Sequence, residues 1–211
     1  PYTLDLEKAA DLLAQDGWTL NAEGNTFDAK ADKQRFKQIG DELKPLSLVL
    51  AVTELNMAAD MVADMLRQNL EQVSGQLVVL PLPLNRALRQ YYRQDPREFD
   101  LFFQGTNFTY LFNPSNSYLV GNEYQGTMNT SGIQDEKLME LAVNMTKQQP
   151  GNRDAYLNNW MAFQEYWVEV LPMIPLYSNT YHDLFTSNLL GYFPQFYWNW
   201  GTAVLYSELN R

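Results

Sequence analysis

The chain has 211 residues, 45% of them hydrophobic and 19% charged, a balance that excludes an intrinsically disordered segment and allows a substantial folded core. A formal net charge of -10, with no local cluster of Lys and Arg to offset it, excludes a nucleic-acid surface and argues against docking on anionic lipid. Cysteine is absent, which removes disulfides, thiolate metal sites and a cysteine nucleophile, and no apolar run approaches the roughly 20 residues needed to span a bilayer.

Asp5 to Asp16 carries Leu6, Ala9, Ala10, Leu12 and Leu13 at helical spacing. Asp5 is placed to cap that helix and Gly17 to end it. A polar turn is expected around Gly24. Ala29 to Leu43 is charged and weakly periodic and reads as a solvated insertion with about one helical turn. The run from Leu46 to Thr53 then predicts a buried strand. Asn56 is placed to cap the following helix, whose apolar stripe reads as Met57, Met61, Met65, Leu66, Leu70 and Val73, with Gly75 ending it. The methionines are expected in the core rather than on a pliable binding face.

A second strand is expected over Gln76 to Leu82, a short helix over Leu84 to Arg93, and a third strand over Phe99 to Gln104. Strand–helix–strand–helix–strand is the layout of an α/β sheet with parallel pairing. Gly105 to Gly132 is irregular, and so long a stretch after a strand is a candidate functional loop. Two helices follow. The first runs from about Ile133 to Gln148, with Ile133, Leu138, Leu141 and Met145 inward. The second runs from about Asn152 to Leu171, with Tyr156, Trp160, Phe163, Trp167 and Val170 inward. Met173 to Ser178 reads as extended, and the rest of the chain is rich in aromatics.

The chemistry-bearing side chains do not form an obvious catalytic set. His182 is the single histidine, too few for a histidine-rich metal site, and no G-x-S-x-G elbow or glycine-rich phosphate loop is present. Asp60 with Asp64, and Asp135 with Glu136, read as solvated helix-face pairs. An acid-dependent glycoside hydrolase using paired carboxylates and a carbohydrate-binding module built on Tyr197, Trp198, Asn199 and Trp200 both stay open as alternatives.

Four segments, in order, carry a resemblance to a known family: LDLEKAADLLAQDGW (Leu4 to Trp18), KPLSLVLAVTELNMAADMVADMLRQNLEQVSGQLVVLPLP (Lys44 to Pro83), EFDLFFQG (Glu98 to Gly105) and the stretch from Asp135 to the IPLY ending at Tyr177. Together they resemble the family 5 bacterial extracellular solute-binding proteins, the oligopeptide, dipeptide and nickel receptors of ABC importers. The resemblance implies a periplasmic-binding-protein-like lobe, with a mixed, mostly parallel sheet flanked by helices. It would be the second, C-terminal ligand-binding lobe of a longer protein, spanning residues 1–178, with a tail over 179–211 returning toward an N-terminal lobe. It further implies an extracytoplasmic receptor, free in the periplasm or lipid-anchored. That receptor would bind a peptide or other small solute and pass it to an ABC permease, with no cofactor, no metal, no catalysis and no nucleic acid.

Ligands of α/β sheets sit beyond the strand ends, which directs attention to the loop after the third strand. Gly105 admits close backbone approach. Thr106, Asn107 and Thr109 offer hydrogen bonds, and Phe108 and Tyr110 offer apolar walls. Tyr177 and Asn179, after the IPL segment, are further candidates. In the family's peptide receptors a tryptophan follows the corresponding glycine, and an aspartate nearby takes the ligand's ammonium group. Here Thr106 and Thr109 stand at or near those places, and no acid occurs between Asp100 and Glu123. This departure from the family's pattern leaves two alternatives, a differently held peptide or another solute.

Overall fold

A computed structural model of the chain describes residues 3–106, 113–178, 180, 182–195 and 200–210. The chain divides into two compact units. The first comprises Pro1–Gly105 with Gln125–Thr130, the second Thr106–Tyr124 with Ser131–Arg211.

The first unit is organised by a three-stranded parallel sheet. After α1 (Leu6–Gln15) come β1 (Phe36–Ile39) and β2 (Glu42–Pro45), then β3 (Ser47–Thr53), α2 (Met57–Gln72), β4 (Gln76–Leu82), α3 (Leu84–Tyr91) and β5 (Leu101–Phe102). The strand order is β4-β3-β5, with β3 in the middle. Ser47 to Thr53 pairs residue for residue with Gln76 to Leu82, and Leu50 and Ala51 pair with Leu101 and Phe102. A strand covered on both faces must be apolar on both, and β3 is. Leu50 and Val52 pack with Ala59, Ala63 and Leu77 on the α2 face, while Ala51 packs with Leu82 and Ala87 on the α3 face. Pro81 has no N–H for a ladder, and it stands on β4, which pairs with β3 alone in this sheet.

The caps expected at Asp5 and Asn56 are observed, and α4 starts at Glu136 rather than at Ile133. Asp5, Asn56, Asp135 and Asn152 accept from the backbone N–H of Lys8, Ala59, Leu138 and Ala155, satisfying donors that a helix N-terminus leaves open. Other expectations are corrected. The stretch read as a solvated insertion holds an antiparallel hairpin, β1–β2, closed by Gly40 and Asp41. Gly40 has φ +59°, the seat for which a two-residue hairpin turn selects glycine. Arg35 ties this hairpin down by donating to the carbonyls of Val73 and Trp18. The third strand is only two residues long rather than six.

The largest correction concerns α2. Met57, Met61 and Met65 are 79%, 68% and 63% exposed, and the face buried on the sheet is Ala59, Ala63, Leu66 and Leu70. At about 100° per residue these four, with Val73, fall within roughly 80° of the helix circumference, and the methionines fall on the other side. Alanine is preferred against the sheet because it lets the helix approach closely.

Gln125–Thr130 belongs to the first unit through polar contacts. The Arg97 guanidinium donates to the carbonyls of Thr130, Gln90 and Tyr91, and Thr130 and Tyr91 share a hydroxyl hydrogen bond of 2.7 Å. Gly126 has φ +93°, and any Cβ there would collide with the Tyr92 carbonyl oxygen.

The second unit centres on α4 (Glu136–Asn144) and α5 (Arg153–Val170). Tyr118, Leu138, Ala142, Met145 and Phe163 form its core, and the Trp167 indole donates to the Tyr118 hydroxyl at 2.7 Å. Tyr156, expected inward, is 37% exposed. Asn159 already reaches the last residue of α4, Asn144, at 3.2 Å, so the first turns of α5 overhang their partner. The described part of this unit also holds two 3-10 turns, Ser115–Tyr118 and Asn122–Tyr124, a short pair, β6 (Leu189–Leu190) with β7 (Glu208–Leu209), and α6 (Trp200–Leu205).

Two outcomes test this packing. In urea denaturation, Leu82→Ala should destabilise the fold by roughly 2–5 kcal/mol, whereas Met61→Ala should fall within about 0.5 kcal/mol of wild type. The Asp135 carboxyl is held below its usual range by the Leu138 N–H, against the opposing effect of burial, with further help from the Tyr166 hydroxyl. A carboxylate whose pKa is depressed by folding contributes stability above its unfolded value and loses it as pH falls through the folded one. Asp135→Asn should therefore lower the melting temperature at neutral pH, and the difference from wild type should shrink in acid.

Candidate functional site

The carboxyl ends of parallel strands are the natural ligand-facing edge of an α/β sheet, because loops and helix N-termini gather there. The order β4-β3-β5 creates a switch point at this edge. The chain leaves β3 toward β4 on one side, while β5 lies on the other. The crevice expected at a switch point is thus bounded by the turn after β3, Glu54 to Asn56, and by the exit from β5, Phe103 to Gly105.

Each piece of this edge is positioned by the sheet. Glu54 donates its backbone N–H to the Leu82 carbonyl at 3.3 Å, continuing the β3–β4 ladder by one residue, and Phe103 donates to Ala51 at 3.0 Å, continuing β3–β5. Asn56 caps α2, and its amide lies 3.4 Å from the Thr53 hydroxyl oxygen. Opposite the crevice end, the β5 side is pinned where the Val49 N–H donates to the Asp100 carboxylate at 2.8 Å and the Asp100 N–H donates to the Val49 carbonyl at 2.9 Å. At the crevice end, Glu54, Leu55, Met57, Leu84, Gln104 and Gly105 are exposed. Glu54 forms no ion pair among the described residues. Among the described residues the edge therefore offers one carboxylate, the amide of Gln104, backbone groups at Gly105 and an apolar rim. That set can hold a solute by hydrogen bonds and apolar contact, and it contains no nucleophile–base pair.

Of the residues expected from sequence, Gly105 and Thr106 are both exposed. Gly105 closes the first unit and Thr106 opens the second. Tyr177 is 62% exposed, in a segment with no strand partner among the described residues, and belongs to the second unit. Asn107, Phe108, Thr109, Tyr110 and Asn179 lie outside the described residues. Glu54, Leu55 and Gln104 were not singled out from sequence, although a turn running straight from a buried strand into a capped helix is a signal that could have found them.

A concavity of about 310 Å³ lies away from this edge, in the second unit, and is lined by His182, Asp183, Phe185, Tyr192 and Trp200 among others. The Tyr192 hydroxyl donates to Asp183 at 3.0 Å, and burial followed by this carboxylate pushes the phenol above its usual range. Asp60 and Asp64 are exposed on α2, with Asp64 paired to Arg67, as expected for a solvated helix face. No group of three or more metal-ligating side chains occurs among the described residues.

No protein-family model matches the chain, and no curated protein matches it. Solved structures do. The oligopeptide-binding protein AppA from Bacillus subtilis, in complex with a nonapeptide, aligns over 100% of this chain and 40% of its own, with a TM-score of 0.70 and 15% identity. An oligopeptide-binding protein from Thermus thermophilus, complexed with a pentapeptide, aligns over 91% of this chain and 32% of its own, with a TM-score of 0.66 and 15% identity. NikZ from Campylobacter jejuni, in complex with Ni(L-His), aligns over 81% and 31%, with a TM-score of 0.59 and 17% identity. The chain spans less than half the length of these proteins. At such identities the likeness establishes the fold, and the fold is the periplasmic-binding-protein-like lobe that the sequence resemblance implied.

The cap that sets the central turn has a measurable value. Asn56→Ala should destabilise the first unit by about 1 kcal/mol, and Asn56→Asp, which retains an acceptor, should recover most of that loss in the same denaturation experiment.

Proposed function

We propose that this chain is the second ligand-binding lobe of an extracytoplasmic solute receptor that delivers a peptide or other small solute to an ABC importer. The carrying observation is the match of the whole chain to part of an oligopeptide-binding protein, joined to a parallel sheet whose switch-point edge is exposed.

In this reading, residues 1–178 form the lobe and residues 179–211 run toward the remainder of the receptor. Gly105 to Tyr110 and Tyr177 with Asn179 contribute to the ligand surface, as does the turn after β3. Binding works by closure. Hydrogen bonds and apolar burial between the lobe and the rest of the receptor, formed only when solute is present, shift the population toward a closed state that the permease recognises. No bond is made or broken and no cofactor is needed. No described helix is long and apolar enough to cross a membrane.

Native mass spectrometry of the full-length protein tests the reading. A non-covalently retained solute, released unchanged on denaturation, is the expected result. Calorimetry with that solute should then give an affinity for the 211-residue chain roughly a hundredfold or more below that of the full-length protein, because a clamshell divides its contacts between two halves. Equal affinity for both, or chemical conversion of the solute, would overturn it.

A further inference from the structure

Four non-glycine residues of the described chain have positive φ: Leu55, Ser74, Arg93 and Leu171. Three have an ordinary reason. Leu171 is the C-cap of α5, and Ser74 and Arg93 directly follow the C-caps of α2 and α3, Val73 and Tyr92; helices commonly end on a left-handed residue. Leu55 has no such reason. It precedes a helix instead of following one, with φ +60° in the turn between β3 and the Asn56 cap. This conformation favours glycine or asparagine, and a branched aliphatic side chain is strained in it.

Leu55 is also 103% exposed, so its side chain gains no packing among the described residues to offset the strain. A hydrophobic residue just before an N-cap usually packs on the residue four positions past the cap, but that position is Asp60, which is exposed. Leu55 thus combines a disfavoured backbone conformation with full solvent exposure of an apolar side chain. It does so at the tip of the central strand, beside the switch point. Met57 and Leu84, the first residues of α2 and α3, are exposed at the same edge, at 79% and 58%.

Resting on the proposed function, we infer that Leu55 is a specificity-determining contact of the ligand site, and that the group it meets is an apolar side chain of a bound peptide. Strain that the fold does not need is characteristic of ligand clamps. The apolar rim formed with Met57 and Leu84 fits an aliphatic or aromatic group better than a charged one. Met57, unbranched and polarisable, adapts to side chains of different shape.

The test uses the full-length protein, wild type and Leu55→Asn, with two sets of synthetic pentapeptides, one rich in Leu and Phe and one rich in Ser and Gly. Asparagine accepts the left-handed conformation, so the melting temperature of the variant should be equal to or above that of wild type. Its affinity for the Leu/Phe set should fall about tenfold, with the Ser/Gly set nearly unaffected. Unchanged affinity for both sets would overturn the assignment while leaving the receptor reading intact. A melting temperature several degrees lower would also overturn it, by identifying Leu55 as a packing residue. If the wild-type receptor bound no peptide of either set, the peptide reading and this assignment would fall together.

Discussion

Everything at the candidate site depends on β3 being the middle strand of a parallel sheet. A middle strand has its backbone hydrogen bonds taken on both sides and its side chains covered on both faces, so its end cannot drift. Here the ladders extend past the assigned strands through Glu54 on one side and Phe103 on the other. The turn Glu54 to Asn56 is therefore held at both ends, by β4 through the Glu54 N–H and by the start of α2 through the Asn56 cap. A strained residue such as Leu55 persists only in such an over-determined setting.

The same sheet explains which parts of the fold were legible in the sequence. β3 announces itself as an unbroken apolar run, because both its faces are covered, and the run from Leu77 to Leu82 marks β4, although Val78 and Pro81 are exposed. The side-chain caps at Asp5 and Asn56 were readable because a short acceptor before a periodic run has few other uses; those at Asp135 and Asn152 follow the same rule but were not singled out. The orientation of α2 was harder to read. Methionine is large and hydrophobic and alanine is small, so a stripe drawn by hydrophobicity joined Met57, Met61 and Met65 to Leu66 and Leu70, which lie on a different face. Close helix–sheet approach favoured the alanines, a preference of packing distance rather than of hydrophobicity.

Other features fell below what a single sequence reveals. The hairpin β1–β2 hides among charged residues, and its only clear mark is the Gly40–Asp41 turn. β5 pairs with β3 over two residues, and neither alternation nor an apolar run can fix the ends of so short a strand. Leu55 looks like any apolar residue in a string of letters. Its strain and exposure exist only once the turn is built. Gly105 and Thr106 were legible as strand-exit residues, and Tyr177 as the end of an apolar segment, but the electrostatic character of the crevice owes more to Glu54 and Gln104.

Proteins of this fold hold solutes as different as a nonapeptide and a nickel–histidine complex, so the sheet supplies a place and the loops supply the chemistry. In the proposed receptor, solute meets this lobe at the switch-point edge. Hydrogen–deuterium exchange on the full-length protein, as purified and after its solute has been stripped by reversible unfolding, tests it most directly. Solute should slow exchange in the backbone amides of residues 53–57 and 103–106, with little change along α4 and α5. Protection confined to the second unit's helices, or to the exposed methionine side of α2, would contradict the account.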